Sequence, residues 1–197
     1  MLITNVSEKG NTLIDLAVGK GGDIPKWINA KLSFVLGIDV SKDNIENRLD
    51  GTCARYLNYR KKHNIVPNVL FVHGDTSKLI KNNDALYTDK SKKLLNALFG
   101  IGAKNENELG KNIYNNYGIA NQGFDVCSIQ FAIHYMFENN ITFNNLLRNV
   151  SEITKLGGHF IGTSYDGKQI FNLLKNTKEN NSISIFDENN KLIWKLT

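Results

Sequence analysis

Leu13-Ile-Asp-Leu-Ala-Val-Gly-Lys-Gly-Gly-Asp23 decides how this chain reads. The apolar run from Thr12 to Val18 stops at glycines 19, 21 and 22. A short apolar run closed by turn residues is the pattern of a buried strand. Asp23 and Pro25 then open a helix whose apolar stripe is Ile24, Trp27, Ile28 and Leu32. Glycine lets backbone approach a ligand closely, and a helix N-terminus favours polar or anionic groups. The spacing Gly19-x-Gly21-Gly22 is not G-x-G-x-x-G, which argues against a dinucleotide pyrophosphate site. Gly-Lys followed by Gly is not a P-loop either.

Outward from this turn, strands are expected at 33–39, 68–73, 123–130 and 158–163. Helical patterns cover 42–62, 143–155 and 166–176, the last running from Asp166 to Asn176. Residues 182–186 and 191–196 flank Asp-Glu-Asn-Asn and read as a hairpin. Strands alternating with helices predict an α/β fold with a mainly parallel sheet. Residues 78–122 break the rhythm and are rich in Asn and Lys. Leu86, Leu94, Leu95, Leu98 and Phe99 could line one helix face there. The segment reads as a partly helical insertion between strands three and four, either a solvated excursion or a substrate lid.

The chain has 197 residues, 41% of them hydrophobic and 22% charged, as expected of one globular domain. A net charge of +5 fits a polyanionic partner without demanding one. Cys53 and Cys127 cannot make a disulfide framework or a four-cysteine zinc site, so no metal is expected. A reducing compartment is the simpler reading. No apolar run reaches the ~18 residues of a membrane span, and no basic-then-apolar leader is visible. The expectation is an intracellular protein with no membrane partner.

Parallel sheets bind ligands at the carboxyl ends of their strands. Asp39 ends strand two, where a carboxylate can accept from both hydroxyls of a ribose. Asp75 follows strand three in His-Gly-Asp-Thr-Ser and can meet an adenine amino group. Either aspartate alone could be a cap or turn residue. A glycine turn, a ribose acceptor and a base acceptor in strand order describe an adenosine pocket, and without a pyrophosphate cradle they suggest S-adenosylmethionine. Past strand four, Gln130, His134, Tyr135 and Phe137 face the first turn across the cleft. Such a His-Tyr pair is often core packing, but at a strand end among aromatics it suits a planar, polar substrate.

These stretches resemble the messenger-RNA cap (guanine-N7) methyltransferases, in particular those within capping enzymes of large DNA viruses. The matching elements are 15–27, Gly-Ile-Asp-Val-Ser at 37–41, Ala-Arg-Tyr at 54–56, Gly-Asp-Thr-Ser at 74–77, 124–138 and Gly-Gly-His-Phe-Ile-Gly-Thr at 157–163. The resemblance implies a Rossmann-like class I methyltransferase sheet with helices on both faces, lacking the family's last strands. It implies that Ala17, Gly19, Asp39, Asp75, Gln130 and Tyr135 contact S-adenosylmethionine and its product S-adenosylhomocysteine, Ala17 standing where the family usually has glycine. Lys20, Lys26 and Arg55 match basic positions near the cap triphosphate, and His134 and Tyr135 match the lining of the guanine pocket. No general base is implied, since guanine N7 carries a lone pair and no proton.

The implied partners are the GpppN end of capped RNA and other capping-enzyme domains or subunits, with no DNA. The implied location is host cytoplasm, in a viral factory, or the virion. The family's basic segment before the first strand, with a donor-binding lysine, has no counterpart here. Nor does its later Glu-Tyr-Leu-Val-like segment, and Glu179 and Glu188 lack that context. The expectation is therefore one methyltransferase domain over 1–197, a fragment of a larger capping enzyme.

Other readings of the same residues are a methyltransferase with a different substrate, a nicotinamide dehydrogenase, a non-catalytic scaffold of a capping complex, and a plain RNA-binding module. The absent G-x-G-x-x-G spacing disfavours the dehydrogenase.

Overall fold

The computed structural model describes residues 2–175 and 182–196; the expected helix end at Asn176 and Glu179 lie outside the described residues. The chain forms two compact units, one up to Thr163 and one from Ser164 onward.

The first unit runs α1 (Leu2–Val6), β1 (Thr12–Asp15), α2 (Ile24–Asn29), β2 (Phe34–Asp39), α3 (Lys42–Glu46), α4 (Thr52–Lys62) and β3 (Asn68–His73). It continues with α5 (Asp89–Leu98), α6 (Glu106–Asn115), β4 (Phe124–Gln130), a 3₁₀ turn (Ile133–Phe137), α7 (Asn140–Ile153) and β5 (Thr154–Thr163). The strands form one sheet in the order β3-β2-β1-β4-β5, and every pairing is parallel.

Strand alternation divides the core between the two sheet faces. Ile14, Phe34, Leu36 and Ile38 pack with Leu95, Leu98, Leu109, Ile113, Leu146 and Ile153, which α5, α6 and α7 supply. Leu13 and Val35 pack instead with Ile3, Ile24, Trp27 and Tyr56 from α1, α2 and α4. β1 and β2 are buried at every residue, as expected of central strands covered on both faces. At Gly37 a Cβ would stand 2.8 Å from Phe71 Cδ1 and 2.9 Å from Val18 Cγ2, so the chain leaving β1 crosses β2 only because Gly37 has no side chain.

Several expectations change. The strand expected at 158–163 starts at Thr154, where the helix expected to run to 155 has already ended. α2 ends at Asn29, so Leu32 of its expected stripe lies outside the helix. β1 ends at Asp15, and residues 16–23 belong to the turn. The single helix expected over 42–62 is two, α3 and α4, because Asn47 turns to φ −55°, ψ 125°. Gly51 then passes the Asn47 carbonyl so closely that a Cβ would lie 2.6 Å away. The segment 78–122 is not a solvated excursion: its helices α5 and α6 bury Leu95, Ala97, Leu98, Leu109 and Ile113 in the main core.

The second unit holds α8 (Gly167–Leu174), β6 (Ile183–Phe186) and β7 (Leu192–Leu196). Asp166 caps α8 by accepting from the N–H groups of Lys168 and Gln169. β6 and β7 pair antiparallel as the expected hairpin, its turn held by Asp187, which accepts from the Asn189 and Lys191 N–H groups. Among the described residues no helix is long and apolar enough to cross a membrane.

Candidate functional site

The site grows from the carboxyl ends of β1, β2 and β3. β2 delivers Asp39 to the edge of the glycine turn, only 6% exposed. Its Oδ2 accepts from the Gly19 N–H at 2.7 Å. Its Oδ1 accepts from the Ser41 N–H at 2.9 Å and the Asn44 amide at 3.0 Å. An ionised carboxylate has about four acceptor positions, so the chain fills three and leaves one, on Oδ2. One further donor can be accepted there without displacing a donor of the chain.

Gly21 shapes the same turn. It sits at φ +72°, and a Cβ there would lie 2.7 Å from Ile24 Cδ1. The Thr52 hydroxyl, at the start of α4, donates to the Gly19 carbonyl at 2.5 Å and pins the turn to that helix.

Asp75 comes off β3 and accepts from the N–H and hydroxyl of Ser77 at 3.0 and 2.6 Å. The loop that carries it is tied down twice. The Thr76 hydroxyl donates to the Leu16 carbonyl at 2.8 Å. From α7, the buried Asn149 accepts from the Ile80 N–H at 2.9 Å and donates to the Thr76 and Lys78 carbonyls at 3.1 and 2.8 Å.

A cleft of about 520 Å³ opens over these elements. Ala17, Gly19, Asp39, Asp75 and Tyr135 all line it, so five of the six expected donor residues meet in one place. Gln130 is the sixth and does not line it. Its amide donates to the Ser128 hydroxyl at 2.9 Å while its carbonyl oxygen accepts from Thr163 at 3.0 Å, which holds the side chain against the sheet. Ser41, Asn44, Ser77, Met136 and Glu138, none of them singled out by the sequence, also line the cleft, together with Leu16, Val40, Thr76 and Ala132. Their signal was adjacency to the aspartates, a weak one for such common residues.

The backbone leaves β4 at a sharp corner, with Phe131 at φ +55°. A bulky residue rarely adopts this left-handed conformation. The corner leads directly into the 3₁₀ turn that presents His134 and Tyr135. Their rings lie 4.2 Å apart at 42°, and Tyr135 is 68% exposed at the cleft's lip.

The basic residues spread around the glycine turn. Lys20 is paired with Asp50 at 2.7 Å and Asp43 at 3.8 Å, and the hydrogen bond to Asp50 holds its ammonium above the usual lysine range. Arg55 donates to the Lys20 carbonyl at 3.0 Å. Lys26 pairs with Asp23 at the start of α2. Of the residues expected at the cap, Tyr135 lines the cleft, whereas Lys20, Lys26, Arg55 and His134 do not.

Beneath the turn, Asp15 is 2% exposed and accepts from the Ala17 N–H at 3.2 Å. Burial pushes its pKa up to about 7, aided by the nearby charges of Asp23 and Asp39 and opposed by the Ala17 N–H and by Lys26.

The cleft suits a molecule that is apolar on one face, hydroxylated on another and positively charged. Among the described residues, Asp39, Asp75 and Glu138 are its only charged lining, all acidic. An open acceptor on Asp39 and a wall of Ala17, Val40 and Met136 match a ribose and a flat base. With the β3-β2-β1-β4-β5 order, these features define a Rossmann-like class I methyltransferase domain. The PH0226 protein from Pyrococcus horikoshii OT3 shares this fold, with a TM-score of 0.53 at 20% identity over 96% of this chain and 63% of that one.

Residues 1–187 match the model of the mRNA (guanine-N(7))-methyltransferase domain, and the chain belongs to that family. It is 28% identical over 194 residues to a "Probable mRNA-capping enzyme" of Acanthamoeba polyphaga mimivirus, covering 98% of this chain and 15% of that protein. It is 29% identical over 180 residues to mRNA cap guanine-N(7) methyltransferase 1 of Oryza sativa subsp. japonica, covering 90% of this chain and 39% of that one. The corresponding enzyme of Saccharomyces cerevisiae is 28% identical over 187 residues, 91% of this chain and 33% of its own. The chain thus spans well under half the length of each of these relatives.

Proposed function

We propose that this chain transfers a methyl group from S-adenosylmethionine to guanine N7 of the mRNA 5′ cap. The observation that carries the reading is the acidic cleft joining Asp39, Asp75 and Tyr135, in a chain that matches the cap methyltransferase family. S-adenosylmethionine, when bound, supplies a methyl group on a positively charged sulfur.

Asp39 takes one ribose hydroxyl on its open Oδ2 position, and Ser41 and Asn44 on the same wall serve the second. Asp75 and Ser77 receive the adenine edge. The acidic lining favours the cation and steers it into the cleft. Tyr135 and His134 hold the cap guanine by its face and edge. Arg55 and Lys20 stand by for the triphosphate, Lys20 exchanging its aspartate partners for phosphate. Guanine N7 has a free lone pair, so no residue needs to remove a proton. The side chains contribute by alignment, which can lower such a barrier by several kcal/mol.

On this reading the partner is the GpppN end of RNA rather than DNA or a membrane, alongside other capping domains or subunits. A setting in host cytoplasm, in a viral factory, or in the virion belongs to the same proposal; a mimivirus capping enzyme is among the relatives. The test is incubation with labelled S-adenosylmethionine and GpppA-capped RNA, followed by nuclease digestion. N7-methylguanosine in the digest supports the assignment; label on another atom, or none, overturns it.

A further inference from the structure

We infer that the half-exposed flank of α4 carrying Arg55, Tyr59 and Lys62 is a binding track for the RNA chain behind the cap. This rests on the cap reading of the site, and the experiment below separates the two.

α4 starts at the glycine turn, where Thr52 bonds the Gly19 carbonyl. It ends toward the amino end of the sheet, since Tyr56, in its middle, donates to the Pro67 carbonyl just before β3 at 2.7 Å. The helix therefore leads away from the catalytic end. Eleven residues span about 16 Å at the α-helical rise.

Its sequence, Thr-Cys-Ala-Arg-Tyr-Leu-Asn-Tyr-Arg-Lys-Lys, holds four cations and no acid. Arg55, Tyr59 and Lys62 follow each other at i, i+4 and i+7, the spacing of one helix face. With Asn58 they line a shallow cavity of about 240 Å³. Arg55 anchors the near end through the Lys20 carbonyl. At the far end the Tyr59 and His63 rings stack, 5.9 Å apart at 29°.

Cations alternating with aromatic faces are what single-stranded nucleic acid requires: charge for the phosphates, flat rings for unpaired bases. Arg60 lies beside this face and lines a second polar cavity with Lys111, Asn68 and Asn115, extending the same chemistry. An acidic protein segment would use the charges but has no need of the stacked rings, so RNA is the better match.

The experiment measures dissociation constants for S-adenosylhomocysteine, the GpppA dinucleotide, a capped decamer and an uncapped decamer RNA at several salt concentrations. It compares the unaltered chain with Lys62→Glu and Tyr59→Leu, each checked by thermal melting. The unaltered chain should bind the capped decamer about tenfold or more tighter than GpppA, a gain of the size that stacking one base supplies. Lys62→Glu should remove most of that gain and lower the salt slope by about 0.7 for each phosphate it no longer neutralises. GpppA binding should stay within about twofold, since Lys62 is exposed and outside the cleft. Tyr59→Leu should weaken the decamers alone.

No gain with RNA length, or equal weakening of GpppA and decamer by Lys62→Glu, overturns the track. So does binding of polyglutamate in place of RNA, which would indicate an acidic protein. If GpppA and S-adenosylhomocysteine fail to bind while the uncapped decamer binds through Lys62, the cap reading falls and the track stands.

Discussion

Asp39 and Gly19 are joined by a 2.7 Å hydrogen bond from the glycine's backbone N–H to the aspartate's Oδ2. The bond links the end of β2 to the glycine turn, so one carboxylate both shapes the turn and receives the ligand. Asp39→Ala should therefore weaken S-adenosylhomocysteine by about 1–3 kcal/mol, the usual cost of leaving partners unpaired. Asp39→Asn keeps an acceptor for Gly19 and should lose less. Calorimetry on the two variants checks the order, and equal affinity in all three proteins would refute the adenosine pocket.

His134 and Tyr135 are exposed on the 3₁₀ turn. Exposed substitutions usually change stability by no more than about 0.5 kcal/mol. His134→Ala and Tyr135→Ala should cut methyl transfer to capped RNA by at least about tenfold while the melting temperature moves little. A parallel fall in both quantities would make these residues structural.

Asn149 does not line the cleft, yet its side chain carries three hydrogen bonds to the segment 76–80. Asn149→Leu keeps the branched shape at a larger volume and strands buried backbone groups, each costing about 1–3 kcal/mol. We expect a loss of at least about 3 kcal/mol in denaturant unfolding. Donor affinity should also drop, because the same segment presents Asp75 and Ser77.

Asp15 gives a pH signature. Its folded pKa, about 7, lies above the 3.8 of an ordinary aspartate. Between those values the folded chain holds a proton that the unfolded chain has released. Its contribution is thus complete below pH 3.8, declines as pH rises and is gone above about 7. Asp15→Asn removes this dependence. The variant should gain on the unaltered chain as pH rises from about 4 to about 8, by a few kcal/mol at most, read from thermal melts at each pH.

The sequence made the central sheet legible because its strands are short apolar runs bounded by glycine, and β3 falls at 68–73 as expected. The cleft was legible because the glycine turn, Asp39 and Asp75 sit at successive strand ends, where the topology must bring them together; Ala17 was legible only through the family resemblance. Other features depend on partners remote in sequence. Leu109 and Ile113 lie within an Asn- and Lys-rich stretch whose composition masks their burial. Asn149 gains meaning only from a loop some 70 residues earlier. Gln130 sits at a strand end like the aspartates, but its two hydrogen bonds along the sheet keep it off the cleft lining, and nothing local announces that.

The most direct test of the central claim is calorimetric titration with S-adenosylhomocysteine, repeated in the presence of a GpppA cap analogue. The expected result is saturable one-site binding of the first ligand, weakened in Asp39→Ala, and independent binding of the second, lost in Tyr135→Ala. Binding of neither ligand, or of the cap analogue unaffected by Tyr135→Ala, would contradict it.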